Sequence, residues 1–110
     1  MTDSADPPQL FAQAKELTDK LQKAQQELRH RTVEATVGGG MVRCEMNGQL
    51  EVTKIEIDPQ AVDPRDVEML QDLIAAAVNQ AQRRAREMAQ EEMQKLSGIP
   101  LGGLFDNLNR

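Results

Sequence analysis

Large aromatic side chains are almost missing from this chain: it has no Trp or Tyr, and its only two Phe are Phe11 and Phe105. Aromatics carry the largest buried areas in small cores. A chain of 110 residues without them makes at most one small domain, for which association with a second copy is a natural supplement. Cys44 is a lone cysteine, which excludes an internal disulfide and fits a reducing compartment. His30 is equally alone, so no His/Cys zinc spacing can be written. No apolar run approaches the roughly 20 residues that cross a membrane. The opening "MTDSADPPQ" carries acids and prolines where a secretory leader needs cations and an apolar stretch, so the expected location is the cytoplasm. A basic excess is missing as well: the net charge of −5 speaks against coating nucleic acid by bulk electrostatics.

That charge is unevenly spread. Leu10 to Arg31 carries five cations and three acids, whereas Thr32 to Asp63 carries two cations and six acids. The same boundaries divide the periodicities. Residues 1–9 are expected to be a disordered tail. Beyond them "LFAQAKELTDKLQKAQQELRHR" contains neither Gly nor Pro. Leu10, Ala14, Leu17, Leu21, Ala24 and Leu28 recur there at 4-3-4-3-4 spacing, a narrow heptad seam suited to packing along another helix. An ordinary amphipathic core helix is the alternative.

The middle alternates with period two. Val33, Ala35 and Val37 share one face of a first strand, and Val42, Cys44 and Met46 share one face of a second. Asn47-Gly48 follows at once, the pair favoured where a two-residue hairpin needs positive φ at both positions. In a third strand, Gln49 to about Asp58, Leu50 and Val52 lie on one parity and Ile55 and Ile57 on the other, which predicts a bulge or a bend near Thr53 and Lys54. Asp63, followed by Pro64, is the expected cap of a second helix running to Leu96. Its apolar face is Val67, Leu70, Ile74, Ala77, Val78, Ala81, Ala85, Met88 and Leu96. The expectation is an α+β protomer of order α-β-β-β-α, a three-stranded antiparallel meander with two long helices. The domain spans 10–96, and 97–110 is a flexible Gly/Pro/Leu tail.

Catalytic chemistry has little to draw on. His30 is expected to be a solvated helix-terminal residue among arginines, and Cys44 a buried, inert thiol on the apolar parity of its strand. Glu91 and Glu92 are adjacent on a helix, so their carboxylates diverge by about 100° and are expected on a solvated face. The triplet Gly38–Gly40 is followed by Met-Val-Arg-Cys and a strand. A phosphate loop needs Lys-Ser/Thr and a helix N-terminus at that point, so the glycines read as a hairpin connection. No cofactor, metal or small-molecule substrate is expected. The remaining candidates are basic residues mixed with acids on both helices, and the scarcity of aromatics argues against single-strand binding by stacking.

From about Leu10 to Leu96 the chain resembles the YbaB/EbfC family of bacterial nucleoid-associated proteins. The resemblance rests on "AKELTDKLQKAQQEL", "GGGMVRCEMNGQLEVTKIEIDP" and "LQDLIAAAVNQAQRRAREM" in that order and spacing. It implies an intertwined homodimer with helix ends projecting as arms, and non-enzymatic binding of double-stranded DNA in nucleoid organisation or gene regulation. Carried onto this sequence, the implied DNA contacts are Lys20, Lys23, Arg29, Arg31, Arg83, Arg84 and Arg86, and the expected dimerisation residues are Leu10, Leu17, Leu21 and Leu28. An adaptor whose heptad helix binds another protein remains the alternative function.

Overall fold

The computed structural model describes residues 7–96. In chain order these form α1 (Pro7–His30), β1 (Thr32–Val37), β2 (Val42–Asn47), β3 (Val52–Ile57) and α2 (Val67–Gln94). The expected α-β-β-β-α order and antiparallel meander are present, with sheet order β1-β2-β3. Helix α1 begins at Pro7, three residues before the expected start. The rest of the expected N-terminal tail, and the tail at 97–110, lie outside the described residues.

The core forms where α2 lies on β1 and β2. Ala77, Ala81 and Ala85 are fully buried, and so are Ala35, Val42 and Cys44 on the facing strands. Residues four apart stack along one helix face, so three alanines in that spacing remove the side chains that would hold the helix off the sheet. Val33, Val37, Leu70, Leu73, Ile74 and Val78 close the margins of this contact. Ala75 and Ala76 point elsewhere and are exposed.

Helix α2 starts later than Asp63 and Pro64 imply. Its cap is Asp66, whose carboxylate accepts from the Met69 N–H at 3.2 Å. Asp63 accepts instead from the Arg65 N–H at 2.9 Å, a local Asx turn that competes with helix initiation.

The bulge in β3 falls where the parity change predicts. Glu45 pairs with Lys54 and Met46 with Val52, leaving Thr53 as the extra residue. Its insertion puts Val52, Ile55 and Ile57 opposite Met46, Cys44 and Val42, on the core side of the sheet. Yet α2 does not reach them, and these three side chains stay 37–45% exposed.

Both hairpin connections use positive φ, though not where expected in the second. Gly38, Gly39 and Gly40 all have positive φ and join β1 to β2. In the β2–β3 turn the positive φ belongs to Leu50, at 64°. The Asn47 N–H donates to the Glu51 carbonyl at 2.9 Å, which closes a three-residue loop with its left-handed residue last. Asn47 is buried and fully engaged: Oδ1 accepts from the Gln49 and Glu51 N–H groups, and Nδ2 donates to the Glu51 carboxylate.

Gly48 is needed for a different reason, close approach. Its N–H donates to the Leu28 carbonyl at 2.8 Å, and the turn seals the C-terminal end of α1. A Cβ at Gly48 would lie 2.7 Å from Leu28 Cδ2 and 2.9 Å from the Leu28 carbonyl oxygen. Ala24 and Leu28 are the buried residues of α1, whereas Leu10 and Leu21 of the same seam are exposed. The helix is therefore anchored at its foot and projects as an arm, within overall dimensions of 78 × 30 × 17 Å.

On the outer face of the sheet, Arg43 sits between Glu34 and Glu56. Its Nε and Nη2 donate to the two Glu56 oxygens at 3.0 and 2.9 Å, and Lys54 meets Glu56 at 2.9 Å. Hydrogen bonds from Arg43 and then Lys54 hold the Glu56 carboxyl down at about 2.

Outcomes of two kinds follow from these contacts. Gly48→Ala should lower stability by about 1–3 kcal/mol through overpacking against Leu28, read as a shift of the urea midpoint. At Gly39 a Cβ would meet nothing within 4 Å, so Gly39→Ala should cost only the left-handed backbone strain, about 1–2 kcal/mol. The second kind concerns acid. A carboxyl depressed in the folded state contributes stability above its ordinary pKa, and that stability is lost as pH falls through the folded value. For Glu56 the window runs from about 4.5 down to about 2, and Glu56→Gln should flatten the decline of the urea midpoint across it.

Candidate nucleic-acid interface

The foot of α1 gathers cations. Lys23, Gln26, Glu27, Arg29, His30 and Arg31 line one shallow, open groove there. Arg29 and His30 occupy the last turn of the helix, where positive charge complements the unsatisfied carbonyls. Lys20 stands farther along the arm with Lys15 and Lys23, among Glu16 and Asp19. It pairs with Glu16 at 3.4 Å, with both side chains largely exposed.

The α2 arginines differ from one another. Arg83 and Arg86 are exposed and make no ion pair among the described residues. Arg84 leans over the free edge of β1, where its Nη1 donates to the Glu34 carbonyl. That places Arg84 about 10 Å along the strand direction from Arg31, counting roughly 3.3 Å per residue. The foot groove and Arg84 thus lie along the same strand, β1.

Arg31 is held by an ion pair to a buried acid, with its own side chain 46% exposed. Its Nη1 contacts Glu92 Oε2 at 3.0 Å, and Lys95 Nζ reaches the same oxygen at 3.3 Å. Glu92 is only 6% exposed, against the expectation that Glu91 and Glu92 both face solvent. Glu91 does. Glu92 follows Ala77, Ala81, Ala85 and Met88 on the buried face of α2, and this helical spacing was the signal that could have placed it. The Lys95 ammonium that donates to it and the Arg31 guanidinium beside it hold its carboxyl below the usual range.

Of the expected dimerisation residues, Leu10 and Leu21 are exposed, Leu17 is half-buried, and Leu28 is enclosed within its own chain. Cys44 is fully buried, and burial pushes its thiol pKa up, against any nucleophilic use. Among the described residues no three His, Cys, Asp or Glu are placed to hold a metal ion, and no helix is long and apolar enough to cross a membrane.

The model of the YbaB/EbfC DNA-binding family matches residues 4–99. The chain belongs to that family. Among its relatives, a nucleoid-associated protein of Syntrophobacter fumaroxidans is 54% identical over 99 residues, covering 84% of this chain and 90% of the relative. A nucleoid-associated protein of Chloroflexus aurantiacus is 50% identical over 97 residues, covering 88% and 96%. An uncharacterized protein of Helicobacter pylori, known as a crystal structure, shares the fold with a TM-score of 0.56 at 20% identity. That match covers 78% of this chain and 95% of the other. For a YbaB/EbfC protein, the cations at the foot of α1 and on α2 are the surface to weigh against phosphate.

Proposed function

We propose that this YbaB/EbfC protein works without catalysis, as a homodimer in the nucleoid that binds the phosphate backbone of double-stranded DNA, in nucleoid organisation or gene regulation. Family membership supports DNA as the ligand. The observation that carries the choice of surface is the groove at the foot of α1, where Lys23 and Arg29 stand without ion-pair partners among the described residues. Arg83 and Arg86 extend the basic character onto α2. The sheet's outer face bears Glu34, Glu45 and Glu56, and repulsion from phosphate keeps that face turned away from DNA.

The dimer is supported by apolar surface that one chain leaves uncovered. Val52, Ile55 and Ile57 lie on the core side of the sheet beyond the reach of α2, and Leu10 and Leu21 line the free part of the α1 seam. A second copy that covers the β3 row completes the half-covered sheet.

Each phosphate contact contributes about −0.9 to the slope of log affinity against log salt. Replacing Arg83 and Arg86 together by Ala should weaken binding to a duplex and flatten that slope by about 0.9 per lost contact. A folded variant with an unchanged slope removes α2 from the interface. For assembly, sedimentation equilibrium should show a dimer for the native chain and a monomer for Ile55→Asp. A native monomer at micromolar concentration would refute the homodimer.

A further inference from the structure

Resting on the DNA reading, we propose that Glu92 is a positioning residue that withholds Arg31 from phosphate, so the foot of α1 meets DNA with Lys23 and Arg29 while Arg31 serves as a strut between the helices. The argument begins with the unequal surroundings of two ion pairs. Lys20 and Glu16 are both largely exposed, with side chains 52% and 67% accessible. When phosphate takes Lys20, water solvates the abandoned carboxylate, so little is lost. Glu92 has no such recourse, because its side chain is only 7% accessible. Taking Arg31 away leaves a buried carboxylate short of one of its two cations, and uncompensated buried charge is strongly unfavourable.

The position of the pair is as telling as its burial. Arg31 follows the last residue of α1 and precedes the first of β1, and Glu92 lies near the C-terminal end of α2. Their contact ties the foot of the arm to the helix that carries the core, beside the seal that Gly48 forms with Leu28. Glu27, four residues before Arg31, lines the foot groove with Lys23, Arg29 and Arg31 and acts on all three cations alike. Phosphate approaching Arg31 therefore meets Glu92 as well, whereas Lys23 and Arg29 make no ion pair among the described residues.

The test compares the native protein with Arg31→Gln, Glu92→Gln, Glu92→Asp and the Arg31→Gln/Glu92→Gln double variant. Circular dichroism first checks that each folds. Each is then titrated with salt on one duplex, and its elution salt from heparin–agarose is measured. Arg31→Gln keeps a donor for Glu92 and should leave the native salt slope unchanged. Glu92→Gln should bind more tightly, with a slope steeper by about 0.9 per cation released. Glu92→Asp should keep the native slope. In the double variant at least half of the added slope should disappear, which separates release of Arg31 from a general change in net charge.

The proposal is overturned if Arg31→Gln alone flattens the slope by about one contact, since Arg31 would then already touch phosphate. It is equally overturned if a folded Glu92→Gln behaves as the native chain. Should Glu92→Gln not fold, the Arg31→Gln comparison decides by itself. If no variant binds the duplex, the DNA reading falls, and the heparin elution order still decides whether Glu92 withholds Arg31.

Discussion

Everything in this protomer depends on how closely α2 lies on β1 and β2. The contact is made by the smallest side chains available, Ala77, Ala81 and Ala85 against Ala35, Val42 and Cys44. Close packing of small groups gains dispersion contacts over a limited area. It also fixes the helix over two strands and leaves the third bare. A helix about 10 Å across spans about two strands spaced about 4.8 Å apart, so one helix leaves the third strand uncovered. The alanine stripe thus both stabilises the single chain and leaves it incomplete, with the apolar row of β3 uncovered.

The same contact dictates where charge is presented. Because the buried face of α2 continues past Met88, Glu92 arrives at the foot of α1, where Arg31 leaves the helix to enter β1. Because Arg84 flanks that face, its guanidinium falls on the free edge of β1. Three of the seven candidate cations are engaged within the chain, Lys20 and Arg31 with carboxylates and Arg84 with a backbone carbonyl. Exposed cations such as Lys23, Arg29, Arg83 and Arg86 are left to solvent or to a polyanion. A chain of net charge −5 can in this way present local positive surfaces.

Most of the fold was legible in the sequence because it was written in periodicities. The strand faces at Val33/Ala35/Val37 and Val42/Cys44/Met46, and the bulge at Thr53, follow from alternation alone. Three local details were not. Asp63 satisfies the composition of a helix cap as well as Asp66 does, and only backbone geometry chooses between them. Asn47-Gly48 satisfies the composition of a tight turn, yet the loop is three residues long and its last residue, Leu50, takes the left-handed conformation, while Gly48 packs against Leu28. Glu92 resembles any surface acid until the helix phase is followed one turn further. The candidate site was less legible than the fold, since availability of a cation depends on its neighbours in space.

Residue order and spacing were enough for the element types and the meander, because these depend on neighbours a few positions apart. Which cations are free, which leucines of the seam are spent, and which strand stays uncovered were settled only when distant segments met. Arg31 and Glu92 are 61 residues apart, and no local pattern couples them. Ion pairing and burial act through space, so the three-dimensional packing alone determines that Leu28 closes the foot of the arm while Leu10 and Leu21 remain open to a second chain.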